Sequence, residues 1–215
     1  QAPFLFPCTY REFFFFFFFL LQQCGVLLSV FIYLFIHFIP IHADWVATLW
    51  RDTFEELLND DNELDYGDQW TLNFNYSQTA AVTKEERKRG WKVYSHCAYA
   101  TFQCGSCSKN WSSARVVVLF RYRLRGERGT VIMRPFGQAC RRCQDNEFYL
   151  PGFAEKEVKH ALLRLFSKVR KNCYNDEDDH DDNGSSTCST KKYTKPHEAS
   201  LCQACIMGIC CQDED

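Results

Sequence analysis

FQCGSCSKNWSSARVVVLFRYRLRGERGTVIMRPFGQACRRC, residues 102–143, carries a CxxC pair near each end: Cys104–Cys107 and Cys140–Cys143. A CxxC turn aims two thiolates at one centre, and two such turns close a tetrahedral zinc site. Between the pairs, residues 116–124 and 131–136 are β-branched and aromatic, and Gly126 and Gly129 separate them. That pattern predicts a β-hairpin. The layout is that of a zinc ribbon with enlarged strands, although the interval exceeds the usual ribbon spacing. The competing reading is a pair of disulfide or redox motifs. A thioredoxin-like motif needs a βαβ context, whereas both pairs here sit in β structure, so ligand type and spacing favour zinc. Structural zinc supplies on the order of 10–16 kcal/mol of folding free energy, and loss of one ligand is expected to unfold the ribbon.

A third pair, Cys202–Cys205, lacks two ligands of its own. His197 precedes it and Cys210 follows, so His197, Cys202, Cys205 and Cys210 together offer three thiolates and one imidazole. Those donors match a second tetrahedral site, with Cys211 competing for the fourth place. The plainer alternative is a flexible tail with free or acylated thiols. His96 and Cys97 read as a surface pair on a strand. Cys173 and Cys188 read as unliganded, and Cys8 and Cys24 lie in an N-terminal segment of different character. The total of 13 cysteines is odd, which disfavours a fully paired disulfide framework.

Outward from this core, the periodicity of Trp45, Leu49, Trp50, Phe54, Leu57 and Leu58 predicts an amphipathic helix capped by Asp44. Trp70, Leu72, Phe74 and Tyr76 alternate with polar residues, as in a half-buried strand. Residues 84–89 read as a charged connector and residues 91–102 as another strand. Residues 155–171 form a second amphipathic helix, with Val158, Leu162, Leu165, Phe166 and Val169 inward. The expected fold is α+β: a zinc-ribbon-like antiparallel β core with flanking amphipathic helices. The expected organisation is an apolar segment over 1–43, a zinc-binding core over 44–175, an acidic and polar linker over 176–196, and a cysteine-rich element over 197–211. Residues 13–39 carry no charge and exceed the length needed to cross a bilayer. Residues 13–19 are seven consecutive Phe, as a thymine-rich tract would encode, so the segment is read either as a membrane span or as an artefact of the gene model.

The 25 basic and 27 acidic residues give a net charge of -2, which excludes a globally basic nucleic-acid binder. The charge is unevenly placed, however, with 20 basic against 7 acidic residues over 84–171. Alternation puts Arg121, Arg123 and Arg125 on one strand face, with Arg115 nearby. Such a face suits RNA phosphates or acidic protein and lipid groups, or is a solvated face satisfied by the acidic run at 176–182. No catalytic motif stands out. A catalytic zinc needs an open position, and no CxxC here follows the His-x-Glu and Pro of zinc deaminases.

Six segments together resemble one family: WRDTFEELL (50–58), GWKVY (90–94), FQCGSCSKNWSSARVVVLF (102–120), VIMRPFGQACRRC (131–143), LPGF (150–153) and HEASLCQACIMGIC (197–210). They resemble the receptor-transporting proteins, which carry a 3CxxC-type zinc finger. The resemblance implies a non-enzymatic accessory chaperone that helps odorant- and taste-type G-protein-coupled receptors reach the cell surface. It implies a structural role for two zinc ions. Cys104, Cys107, Cys140, Cys143, Cys202 and Cys205 carry over as ligands, and His197 and Cys210 fit by position. It further implies membrane association, at the endoplasmic reticulum or plasma membrane, with the zinc domain in the cytosol. One interferon-induced member implies an alternative, an RNA-binding antiviral effector using Arg115, Arg121, Arg123 and Arg125. Family members typically carry their hydrophobic anchor near the C-terminus, whereas the candidate span here precedes the domain.

Overall fold

The computed structural model describes residues 45–59, 63–143, 147–176 and 196–210. The expectations for the apolar segment, for Cys8, Cys24, Cys188 and Cys211, for the Asp44 cap, and for nearly all of the linker lie outside these residues.

Four strands form the main sheet: β1 (Gln69–Phe74), β2 (Lys92–Gln103), β3 (Asn110–Arg125) and β4 (Arg128–Pro135), in the order β1-β4-β3-β2. β3 pairs antiparallel with both neighbours, and β1 adds to β4 in parallel. The sheet is therefore mixed, with its antiparallel core as expected. The β3–β4 hairpin turns through Gly126 and Glu127, and Gly126 takes φ +59°, a conformation that glycine reaches without steric cost. A small second sheet pairs β5 (Gln138–Ala139) with β6 (Phe148–Tyr149).

Helix α1 (Ala47–Asn59) and helix α3 (Glu155–Val169) pack together on one face of the main sheet. Their buried stripes, Trp50, Phe54 and Leu57 with Val158, Leu162, Leu165 and Phe166, meet Val116, Val118, Phe120 and Tyr122 of β3. Trp45 lies before the first turn of α1 rather than on it, and packs edge-on against Phe74, Tyr76 and Phe153. Residues 84–89 are not a plain connector. Lys84–Lys88 form a short helix, α2, because Thr83 and Glu86 close a capping box. The α3 helix widens into a π-helical turn, Arg170–Tyr174, that ties back to the first strand. Trp70 Nε1 donates to the Tyr174 hydroxyl at 2.9 Å, and that hydroxyl donates to Asp68 at 2.7 Å.

The opposite face of β3 is covered as well. Val117 and Leu119 pack with Phe136 and with Cys202 and Ala204 from the C-terminal element. That element is a 3₁₀ turn (Ala199–Leu201) followed by a short helix, α4 (Gln203–Ile206). Burial on both faces explains the unbroken apolar run from Val116 to Phe120, where a half-exposed strand would alternate.

Candidate metal centre

The first two CxxC pairs occupy the loops of two facing hairpins. Cys104 and Cys107 sit between β2 and β3, and Cys140 and Cys143 sit between β5 and β6. The first loop is a tight knuckle. Ser108 N–H donates to Cys104 C=O, Cys104 N–H donates to Lys109 C=O, both at 2.9 Å, and Ser108 adopts φ +54°. Close packing holds the second loop beside it. A Cβ on Gly137 would stand 2.8 Å from the Tyr149 carbonyl oxygen, so only glycine fits there without a shift.

The structure brings all four thiols together as free cysteines, with Sγ atoms of Cys104 and Cys143 at 3.6 Å and of Cys107 and Cys140 at 3.8 Å. Four sulfurs around one zinc at the usual bond length stand about 3.8 Å apart. Cys104 and Cys140 are buried; Cys107 and Cys143 are half-buried. The electrostatics point the same way. Burial pushes the Cys104 thiol up, but hydrogen bonds from Tyr149, Cys107 and Cys143 outweigh it and hold the thiol down to about 6. Cys143 is pushed up to about 12, chiefly by its hydrogen bonds with Cys107 and Cys104. Packed thiols ionise in turn and at rising cost, and a divalent cation among them removes that cost.

The second donor set comes from one segment. His197 Nε2 lies 3.0 Å from Cys205 Sγ and 3.6 Å from Cys210 Sγ, and all four donor atoms of His197, Cys202, Cys205 and Cys210 fall within 4.8 Å of one another. A nitrogen and a sulfur on one tetrahedral zinc stand about 3.6 Å apart. Cys202 is held down to about 5, mainly by a hydrogen bond from Cys210, and Cys210 is pushed up by the same contact. Backbone hydrogen bonds shape the loop: Ile206 N–H to Cys202 C=O, Gly208 N–H to Cys205 C=O, and Ile209 N–H to Ala204 C=O. The segment is anchored on β5. Gln203 N–H donates to Gly137 C=O, and Gly137 N–H donates to the Gln203 side chain. The segment is thus packed and hydrogen-bonded rather than a loose tail.

Among the described residues these are the two groups of His, Cys, Asp or Glu placed to hold a metal. Two zinc ions fit them. Each group supplies four protein donors, which fills a tetrahedral shell, whereas a catalytic zinc keeps one position for water or substrate.

Other residues singled out in the sequence fall elsewhere. His96 and Cys97 are not a surface pair, because neighbours on a strand point to opposite faces. His96 is buried, with Nδ1 3.1 Å from the Tyr94 hydroxyl and its ring against His160. Cys173 is a free thiol in the π-helical turn. Arg121 pairs with Glu86 at 2.6 Å, and Arg121 and Arg123 both lie over the Trp91 ring. A short α2, invisible to a search for long periodic helices, supplies that glutamate. Arg134 is buried and donates to the Gln78 carbonyl at 2.6 Å. Its sequence signal, a cation in an apolar strand beside Pro135, gave no hint of that partner.

Comparison with known proteins agrees with this geometry. The 3CxxC zinc-ribbon family, described as a zinc-binding domain, matches residues 97–208. Receptor-transporting protein 3 of Mus musculus is 30% identical over 167 residues, covering 77% of this chain and 34% of the relative. Receptor-transporting protein 4 of Homo sapiens is 29% identical over 173 residues, covering 76% of this chain and 64% of the relative. Receptor-transporting protein 2 of Mus musculus is 31% identical over 125 residues, covering 56% and 54%. The chain thus spans less than two thirds of each of these relatives. No solved structure matches. With its matched domain taking in both donor sets, the chain belongs to the 3CxxC zinc-ribbon family and groups there with the receptor-transporting proteins.

Proposed function

We propose that this chain is a non-enzymatic accessory chaperone, built around two structural zinc ions, that promotes the traffic of G-protein-coupled receptors of the odorant and taste type to the cell surface. The observation that carries this reading is the run of receptor-transporting relatives across a domain holding two four-donor sets. The zinc ligands are Cys104, Cys107, Cys140 and Cys143 at one centre and His197, Cys202, Cys205 and Cys210 at the other. In this reading residues 44–175 are the zinc-binding core and residues 197–211 a second zinc element. The protein works at the membranes of the secretory route, with the zinc domain in the cytosol, where thiols stay reduced and free to bind metal. Among the described residues no helix is long and apolar enough to cross a membrane. In this reading the apolar stretch over 13–39 makes the membrane contact.

The test is surface display of a co-expressed odorant- or taste-type receptor, by antibody staining of unpermeabilised cells. The expected result is a raised surface signal that a Cys104→Ser, Cys140→Ser variant loses. An unchanged signal with the wild-type chain at equal expression would remove the proposal. The RNA-binding alternative has weaker support. Trp91, beside the arginine face, already has Arg121 and Arg123 over its ring, and these would compete with a base for it. RNA affinity of the full chain that falls steeply with salt would revive it.

A further inference from the structure

β1 ends at Phe74, and the chain turns at once. Asn75 N–H donates to Met133 C=O at 3.0 Å, Ser77 N–H donates to Asn75 Oδ1 at 2.9 Å, and Gln78 N–H donates to Asn75 C=O at 3.3 Å. The buried Gln78 side chain pins the turn to the sheet, donating to Leu119 C=O at 3.0 Å and to Ile132 C=O at 3.1 Å. Tyr76 is therefore held at the tip of a fixed turn, not in the strand to which its alternation assigned it, and it is 46% exposed. Turn tips ordinarily carry Gly, Pro, Asn, Asp or Ser, so a large aromatic held out to solvent there is unusual.

Tyr76 does not stand alone. The Trp45 ring packs edge-on against it at 6.3 Å, and Trp45 Nε1 donates to the Tyr76 hydroxyl at 3.0 Å. Val46, next in the chain, is 45% exposed. Arg51 lies over the neighbouring Phe74 ring at 5.9 Å, so a cation borders the group. The indole N–H already has its acceptor, so the ring can enter an apolar phase without an unpaired donor. The Tyr76 hydroxyl, accepting that bond, keeps its own proton to donate. Trp and Tyr side chains of this amphipathic kind settle at the headgroup level of bilayers. The position in the chain fits as well. Residues 40–44 separate the charge-free stretch over 13–39 from Trp45. Even fully extended, that connection spans about 20 Å.

We propose that Trp45, Val46 and Tyr76 form a docking corner that seats the zinc-binding domain on the headgroup layer of a phospholipid bilayer. This rests on the reading that residues 13–39 contact the membrane, and adds where the domain itself touches it. Val46 and the open edge of Trp45 exchange water for acyl chain, and the Tyr76 hydroxyl donates to phosphate or ester oxygens. A corner of three residues falls far short of the roughly 20–30 residues a side of a stable protein interface. A bilayer held close by a short tether needs only such a shallow contact, because the tether keeps its effective concentration high. The contact also sets the domain's orientation. β1 and β4 run parallel from the Gln69–Arg128 pair to the Phe74–Met133 pair, so the corner lies at the end of the sheet opposite the Gly126–Glu127 turn.

The test places the zinc-loaded full chain in nanodiscs of phosphatidylcholine, a lipid without net charge, with and without a lipid spin-labelled next to its headgroup. Paramagnetic broadening of Trp45 Nε1–H and of amides 45–48 and 75–77 is expected to exceed that of Gly126 and Glu127 at least threefold. A Val46→Glu, Tyr76→Glu variant, altered only at exposed positions outside the donor sets, should stay in the discs and lose at least threefold of that broadening. Val46→Glu alone, which keeps the Trp45–Tyr76 hydrogen bond, should lose at least twofold, with β3 and β4 amides unmoved. Equal broadening at both ends of the sheet, or broadening that both variants keep, overturns the docking corner and leaves the reading of residues 13–39 standing. Failure of the wild-type chain to migrate with the discs overturns both. Shifts at the corner amides that grow with the number of chains per disc would assign the corner to a second copy, which also overturns the proposal.

Discussion

Two single residues show how tightly the packing constrains this chain. Gly129 lies opposite Trp70 in the β1–β4 register, and a Cβ there would stand 2.0 Å from the indole ring. Gly129→Ala is therefore expected to cost about 1–3 kcal/mol through overpacking, read as a lower denaturant midpoint with altered Trp fluorescence. An unchanged midpoint would mean that the ring moves freely. His96 is the second case. Burial, helped by His160 and Arg164, lowers its pKa to about 4 from the ordinary 6.5. The unfolded chain thus binds a proton between those values that the folded chain refuses. Stability from this group is complete above about pH 6.5 and is lost as the pH falls toward 4, a total on the order of 3 kcal/mol. Imidazole resonances of His96 should stay those of the neutral ring down to about pH 4. A midpoint near 6.5 in the folded protein would refute the burial argument. Neither residue was legible beforehand: Gly129 read as part of the hairpin turn, and His96 as a surface residue. Each depends on what another element lays against it, which strand alternation alone does not tell.

At the scale of elements, the hairpin, both long helices and the CxxC spacing were readable because each is a local pattern of period 2, 3.6 or fixed ligand interval. The short α2 was missed: Thr83 and Glu86 are a capping-box pair, but a helix of this length lies below the periodic signal, and the segment read as a connector. The parallel placement of β1 was not readable. Its alternation fixes which face is buried and says nothing of the neighbour or direction. The two donor sets also belong to different elements, one to facing hairpins and one to a single C-terminal segment. They should therefore fail separately. Cys107→Ser and Cys205→Ser are each expected to lower bound zinc from two equivalents to one, measured by metal analysis of the purified chain. A single substitution that empties both centres would mean that they fold as one unit.

Across the whole domain, what joins the two centres is the buried face of β3. Val117, Leu119 and Phe136 lie under Cys202 and Ala204, while the larger core with α1 and α3 lies on the other side of the same strand. The continuous apolar run of residues 116–120 carried this two-sided burial in the sequence, but the identity of the second layer depended on a segment some eighty residues later. The asymmetry of the two layers sets an order of events when zinc is withdrawn. His197 is exposed and Cys205 and Cys210 only half-buried, whereas Cys104 and Cys140 are buried at the other centre. A chelator should therefore take the first equivalent from the His197 centre. The C-terminal element would then release and uncover the small patch around Val117 and Leu119. The larger core would keep β1 to β4 protected, because its contacts do not involve that element. Release of the second equivalent removes the knuckles that close β2 on β3, and the sheet should lose protection with it. Metal release followed by a zinc-sensitive dye, in parallel with amide exchange, should show two phases. The fast phase should expose amides of residues 197–210 alone. One phase in which strand and C-terminal amides open together would show instead that the second layer supports the sheet, and that β3 needs both faces covered to stay folded.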